Sequence, residues 1–205
     1  MKISKIEKSK HKQERVLVFL EEGDLLRLTS HELLQFGLYP GMDLSAEDVI
    51  QLKSSARQSE SRVYAAQLAS SRMFSKKQLT EKLTRRGAMP QDAAATVDWL
   101  EELGAVDDKA YADVIVRHYG AMDYGAGRIR QELFRRGVPR ELWDDAMAQL
   151  PPPEERIAHF LRSKCKGKPL TEQNAKKLSD ALLRRGFSWQ EIRPVFRQMG
   201  EDIDE

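Results

Sequence analysis

The stretch that decides the fold is Leu83-Thr84-Arg85-Arg86-Gly87, which returns as Leu133-Phe134-Arg135-Arg136-Gly137 and again as Leu182-Leu183-Arg184-Arg185-Gly186. The glycines stand 50 and 49 residues apart, a period that marks a chain built of helical repeats. An apolar residue sits four positions before each leucine: Leu79, Ile129 and Leu178. That spacing puts both on one helix face. Two arginines in the last turn complement the negative end of the helix dipole, and a glycine after them can take the left-handed conformation that ends a helix. In such an ending the residue after the glycine packs back on the leucine. The pairs are Leu83 with Ala88, Leu133 with Val138, and Leu182 with Phe187, of which the alanine is the weakest.

Each of these helices has a helix on either side. Those before it are read near Glu60–Ser71, Asp108–Tyr119 and Glu154–Cys165. Those after it open at Pro90, at Pro139 and at Ser188. The first carries Val97, Leu100 and Leu103. The second carries Leu142, Trp143, Ala146 and Leu150, and is stopped by Pro151-Pro152-Pro153. The third carries Ile192, Val195, Phe196 and Met199. We expect an all-α fold of three tandem three-helix repeats at residues 56–106, 107–152 and 153–205, the last with an acidic tail. Stacked units of this size form an elongated, curved body whose long flank suits an extended partner. Trp99, Trp143 and Trp189 each fall in a third helix and are read as core residues.

Residues 1–55 are read as a small N-terminal region. Met1–Glu14 is basic and polar, and is expected to be a frayed tail, either solubilising or an arm for nucleic acid. Val16–Leu20 and Leu25–Leu28 flank Glu22-Gly23-Asp24 and predict a β-hairpin. Thr29 or Ser30 caps a short helix that Gly37 and Pro40-Gly41 stop, and Ser45 starts another helical stretch.

The 205 residues are 40% hydrophobic and 32% charged with a net charge of +2, which predicts a folded core and excludes uniform disorder. The one cysteine, Cys165, excludes an internal disulfide. It lies between Lys164 and Lys166 and is read as an incidental thiol. No apolar run reaches membrane-spanning length, and no signal peptide is read, so a cytoplasmic protein is expected. No phosphate loop is present. Gly125-Ala126-Gly127-Arg128 is read as a helix-start turn. His11, His31, His118 and His159 lack ligand spacing. The chain is therefore read as a non-enzyme with no cofactor and no metal.

Charge is concentrated. Residues 156–200 hold 11 Lys and Arg against 3 Asp and Glu, while 201–205 hold four acids. The cations are Arg156, Arg162, Lys164, Lys166, Lys168, Lys176, Lys177, Arg184, Arg185, Arg193 and Arg197. Together they read as a basic patch for phosphates or an acidic protein surface. The third helices of the first two repeats carry Asp92, Asp98, Glu101, Glu102, Glu141, Asp144 and Asp145, which argues against base reading by a recognition helix.

Asp108-Lys109-Ala110-Tyr111-Ala112, Arg117, Gly125, Ile129, Glu132-Leu133 and Arg136-Gly137-Val138 together resemble the central signature of the RecX family, and Leu79, Leu83, Arg86 and Gly87 also fit. The resemblance covers about residues 56–200. It departs at Ala126, where the family often has proline, a change expected to loosen the loop before the second repeat's middle helix. The resemblance implies a regulator of the RecA recombinase that lodges in the groove of a RecA–DNA filament. It implies loss of RecA ATP hydrolysis and strand exchange, a role in DNA repair and the SOS response, and contacts with DNA. A monomer suffices for this. Candidate contact residues are Arg117, Arg128, Arg130, Arg135 and Arg136 of the second repeat. In the third they are Arg162, Lys164, Lys166, Lys168, Lys176, Lys177, Arg184, Arg185, Arg193 and Arg197. The alternative reading is a stand-alone DNA-binding repeat protein that acts through its basic third repeat.

Overall fold

A computed structural model describes residues 1–10, 15–166 and 170–199. Lys168 and the acidic tail Glu201–Glu205 lie outside the described residues. The chain forms two compact units, Met1–Arg72 with Leu79–Ala105, and Met73–Gln78 with Val106 onward.

The first unit opens with a three-stranded antiparallel sheet, β1 (Ile3–Lys8), β2 (Arg15–Leu20) and β3 (Leu25–Thr29), in the order β1-β2-β3. The hairpin expected at β2 and β3 is present, and alternation drives it: Val16, Val18, Leu20, Leu26 and Leu28 are buried between exposed or half-buried neighbours. The frayed tail expected over Met1–Glu14 is corrected over Ile3–Lys8 by β1, while residues 11–14 lie outside the described residues. A register shift between Ile3 and Lys5 turns both Ser4 and Lys5 outward, so Ile3 and Ile6 face the core three positions apart. Such a bulge removes the two-residue period by which a strand is recognised.

Thr29 and Glu32 form a capping box that starts α1 (Ser30–Gln35), and Ser45 with Asp48 forms another that starts α2 (Ala46–Ser71). The stretches read as separate helices, one from Ser45 and one near Glu60–Ser71, are a single helix. Nothing between them breaks it, since residues 46–71 contain neither glycine nor proline.

Glu32 fastens α1 to α2. Its carboxylate is wholly buried. It accepts from the Thr29 N–H at 2.8 Å, the Thr29 hydroxyl, the Ser55 hydroxyl at 3.2 Å and the Ser59 hydroxyl. Burial alone would raise the carboxyl pKa, but the donors from Ser59, Thr29 and Ser55 outweigh it and hold the group below its ordinary value. Glu32→Ala should cost about 2 kcal/mol of unfolding free energy in urea, because four donors lose their acceptor. Ser59→Ala should cost less, since the carboxylate keeps its other donors.

The unit is completed by most of α3 (Lys76–Arg85) and by α4 (Pro90–Glu102), which packs on α2. Leu79, Leu83, Ala93, Val97 and Leu100 are buried.

The second unit holds two three-helix groups. The first is α5 (Asp108–Ala121), α6 (Ala126–Arg135), a 3-10 turn at Arg140–Leu142 and α7 (Trp143–Met147). It packs around Tyr111, Ile115, Val116, Ile129, Leu133 and Val138. The second is α8 (Pro153–Cys165), α9 (Glu172–Arg184) and α10 (Trp189–Gln198), around Ile157, Phe160, Leu161, Leu182, Phe187 and Phe196. The long helix expected after Pro139 is corrected to the 3-10 turn and the short α7. Here the Trp143 indole donates back to the Val138 carbonyl at 3.0 Å in place of a regular first turn.

All three repeated motifs end their helices as read. Gly87, Gly137 and Gly186 have φ of 98°, 72° and 89°. The N–H groups of Ala88, Val138 and Phe187 donate to the carbonyls of Leu83, Leu133 and Leu182 at 3.1, 3.1 and 3.2 Å, the bonding of a Schellman ending.

The same ending is also a joint. Gly125 N–H donates to the Arg185 carbonyl at 2.8 Å and Gly127 N–H to the Gly186 carbonyl at 3.0 Å. A Cβ on Gly125 would lie 2.3 Å from the Gly186 backbone, so the backbones approach as only glycine allows. The looser loop expected at Ala126 is therefore corrected: glycines on both sides of it are pinned. One repeat earlier the arrangement recurs. The Ser75 hydroxyl, twelve residues before Gly87 as Gly125 is before Gly137, donates to the Arg136 carbonyl at 2.5 Å.

Candidate partner-binding surface

Of the paired arginines that end each middle helix, the first is exposed in every repeat, while the second is half-buried at Arg136 and Arg185 and exposed at Arg86. Arg85 and Arg135 are exposed, with side-chain exposures of 79% and 65%, and Arg184 is exposed too. The second arginine of each pair lies over an aromatic ring. Arg86 sits 4.0 Å over Tyr64. Arg136 donates to the Tyr111 hydroxyl at 3.0 Å. Arg185 lies 4.9 Å over Tyr124 and 4.6 Å over Phe160, and donates to the Met122 carbonyl at 2.5 Å. Flat guanidinium groups suit this combination of ring stacking and several donated bonds. Among the candidates, Arg136 and Arg185 thus hold the fold.

Three second-repeat candidates converge on one carboxylate. Glu132 lies on the inner side of α6 beside Ile129 and Leu133, with 3% of its side chain exposed. Arg135 Nη2 reaches it at 2.6 Å, Arg128 Nη2 at 3.2 Å and Arg136 Nε at 3.5 Å. Burial pushes the Glu132 carboxyl up, but bonds from Arg135 and Tyr119 and the charge of Arg128 bring it below its usual range. Arg128 and Arg135 keep an exposed flank, and three cations around one carboxylate leave a positive surplus. Arg117 is exposed and donates to its own helix at the Asp113 carbonyl. Arg130 is exposed and has no ion pair among the described residues.

The third repeat separates its cations by face. On α9, Ala175, Leu178, Ser179 and Leu182 turn inward at helical spacing, while Lys176, Lys177 and Arg184 are exposed. On α10, Ile192, Val195 and Phe196 are buried, and Arg193 and Arg197 stand one turn apart on the exposed side. Arg162, Lys164 and Lys166 crowd the C-terminal end of α8, where the helix dipole favours them. Lys164 lies 5.8 Å over the Phe160 ring. Among the described residues, Lys176, Lys177 and Arg184 have no acidic partner.

Arg156 must be removed from the patch. It is buried, lies 5.3 Å over Phe187, and donates to the carbonyls of Tyr124 and Pro151. Burial holds its pKa down, and more distant carboxylates such as Glu191 only partly oppose this. A feature the sequence reading passed over is Phe134, 64% exposed beside Arg130 and Arg135 on the outer face of α6. Its place next to the inward Leu133 already put it off the core face.

No described helix is long and apolar enough to cross a membrane. A family model described as RecX, second three-helix domain, matches residues 107–147. Regulatory protein RecX of Streptococcus gordonii is 25% identical, with 100% of this chain aligned to 79% of that one. The protein of the same name from Streptococcus equi subsp. zooepidemicus is 28% identical with the same coverage. That from Clostridium botulinum Eklund 17B is 24% identical over 96% of this chain and 95% of its own. A crystal structure of regulatory protein RecX superposes with a TM-score of 0.72 at 24% identity over 96% of this chain and 98% of that one. A structure of RecX from Lactobacillus salivarius gives 0.62 at 20% identity, covering 71% of this chain and 97% of the other. The signature residues, the three-helix repeats and these alignments converge on one likeness: over its full length this chain is similar to regulatory proteins RecX, and its fold is theirs.

Proposed function

We propose that this protein binds a RecA–DNA filament in its groove and lowers its ATPase and strand-exchange activities, acting by binding without catalysis. The observation that carries the reading is the alignment of the whole chain with regulatory proteins RecX. The exposed cations of α9 and α10, with Arg130, Arg128 and Arg135 on α6, give such binding a physical basis. They face outward on rigid helices, where a polyanionic filament could displace their counterions. Several weak contacts along an extended partner raise the effective concentration of each next one. The test is RecA ATPase on single-stranded DNA with the protein titrated in. Turnover should fall as the protein approaches stoichiometry with RecA, and unchanged turnover there would overturn the reading.

A second reading, DNA binding without RecA, is favoured by Lys176, Lys177 and Arg184 being exposed with no acidic partner among the described residues. The triple change Lys176→Glu, Lys177→Glu, Arg184→Glu should weaken binding to single-stranded DNA by about tenfold or more at low salt and flatten its salt dependence. Arg185 is left out because its guanidinium ties main-chain carbonyls, so reversing it would disturb the fold. Fluorescence anisotropy at several salt concentrations checks this, and unchanged affinity sinks it.

A further inference from the structure

The first unit carries a cleft between its sheet and α2. One wall is the run Leu25–Leu28 of β3, and the other is a single face of α2 made by Lys53, Ala56, Arg57 and Glu60, enclosing about 530 Å³. Four consecutive strand residues line it because β3 is an edge strand, and its free side faces the cleft.

The phase of the hairpin fixes which main-chain groups are free. Leu20 N–H donates to the Asp24 carbonyl at 2.9 Å. In an antiparallel pair, bonded and non-bonded positions alternate. Through the register Val18↔Leu26 and Val16↔Leu28, Leu26 and Leu28 therefore bond to β2, and Leu25 and Arg27 point their N–H and C=O away from it. Thr29, next in the same phase, bears this out, since its N–H donates to Glu32 and not to β2. Among the described residues nothing pairs with the outward groups of Leu25 and Arg27. An exposed edge of this kind is a template for another strand.

Charge says which strand. Arg15 is paired with Glu60, which leaves Arg27, Lys53 and Arg57 around the cleft with no carboxylate partner among the described residues. Arg57 only touches the Lys53 carbonyl of its own helix, at 3.1 Å. Three cations beside an open strand edge complement an acidic extended peptide. A phosphate backbone could use the cations but would leave the free carbonyls of Leu25 and Arg27 without donors.

We propose that the cleft between β3 and α2 binds an acidic, extended segment of a partner protein, which adds to β3 as a fourth strand. Main-chain bonds to Leu25 and Arg27 set its register, and Arg27, Lys53 and Arg57 select its carboxylates. The proposal stands apart from the RecA reading, since none of the residues behind that reading lines this cleft.

The test uses the full chain and a capped, fluorescein-labelled nonapeptide of alternating Glu and Val, followed by anisotropy and by amide hydrogen exchange. Binding should slow exchange at Leu25 and Arg27, whose N–H groups have no acceptor among the described residues, and Lys53→Glu with Arg57→Glu should weaken it by about tenfold. Two further peptides carry N-methyl groups on alternate residues, all the Glu or all the Val. One should lose binding and the other keep it, because an added strand turns only every second N–H toward β3. Absence of binding at millimolar peptide, or equal binding by both methylated forms, overturns the proposal. So does unchanged exchange at Leu25 and Arg27, which is read on the native chain whatever the variants do. Failure of the peptide while a twelve-residue oligothymidylate binds with sensitivity to the same charge reversals overturns it in favour of nucleic acid.

Discussion

Gly186→Ala should destabilise the second unit by about 4 kcal/mol, while Gly87→Ala costs the first unit about 1–2 kcal/mol. Both glycines have left-handed backbone, with φ of 89° and 98°, and both end the same kind of helix. The strain of placing a Cβ there is therefore common to the two. They differ in what the Cβ would meet. At Gly87 there is nothing within 4 Å, whereas at Gly186 the new carbon would lie 2.3 Å from the backbone nitrogen of Arg128. Backbone cannot swing aside as a side chain can, so the first turn of α6 would have to withdraw, breaking the bonds from Gly125 and Gly127. Gly137→Ala should fall between them, because its Cβ would press on the flexible Lys77 side chain at 2.7 Å. Urea unfolding followed by tryptophan fluorescence reads this series, with Trp143 and Trp189 in the second unit and Trp99 in the first. A Gly186→Ala cost no larger than that of Gly87→Ala would show that the joint is not tight.

Glu132→Ala should cost about 3 kcal/mol. The buried carboxylate is shared by Arg128, Arg135 and Arg136, and Arg136 Nε is buried with no hydrogen-bond acceptor of its own. Removing the acid leaves that half-buried guanidinium uncompensated. A double change to leucine, Glu132→Leu with Arg136→Leu, should recover most of the loss, since an apolar pair needs neither charge nor partner. The pH dependence has a definite sign. The Glu132 pKa is lowered on folding, so its contribution is fully present above the ordinary carboxylate pKa and is lost as pH falls through the folded value. The stability difference between the native chain and Glu132→Ala should thus shrink on acidification. A difference that grows in acid would show that the carboxylate is not ionised in the folded chain.

The helix endings were legible because their cause is local: a left-handed residue, two cations and a leucine lie within five positions. Capping by Ser45 and Ser188 was legible for the same reason. The joint was not, because Gly125 and Ser75 serve carbonyls about 60 residues away, and a glycine there reads equally well as a turn. β1 was hidden by one extra residue that broke its alternation. The cation map was legible as a total and not as a surface. Arg156, Arg136 and Arg185 count the same as Lys176 in a charge tally, yet a guanidinium can lie under the surface against a ring while an ammonium at an outward position cannot. At the edge of β3, Arg27 and Lys53 were obscured by the near-neutral sum of residues 1–55, and Arg57 by its place in the first repeat.

The joint also bears on how such a chain could arise. Its donors and acceptors are main-chain groups, apart from one hydroxyl, so it asks little of side-chain identity: a glycine closing the middle helix and a small residue twelve positions ahead of the preceding repeat's own glycine. A duplicated segment that keeps those two positions has its attachment ready, while the rest of its surface is free to diverge. The coupling is directional, with carbonyls offered by the end of one middle helix and donors by the start of the preceding one. At Gly87 the closing end has open space around it. Lengthening by tandem copying would therefore need no new adhesive surface, and the unlike faces of the three present repeats are the divergence that such permissive bonding allows.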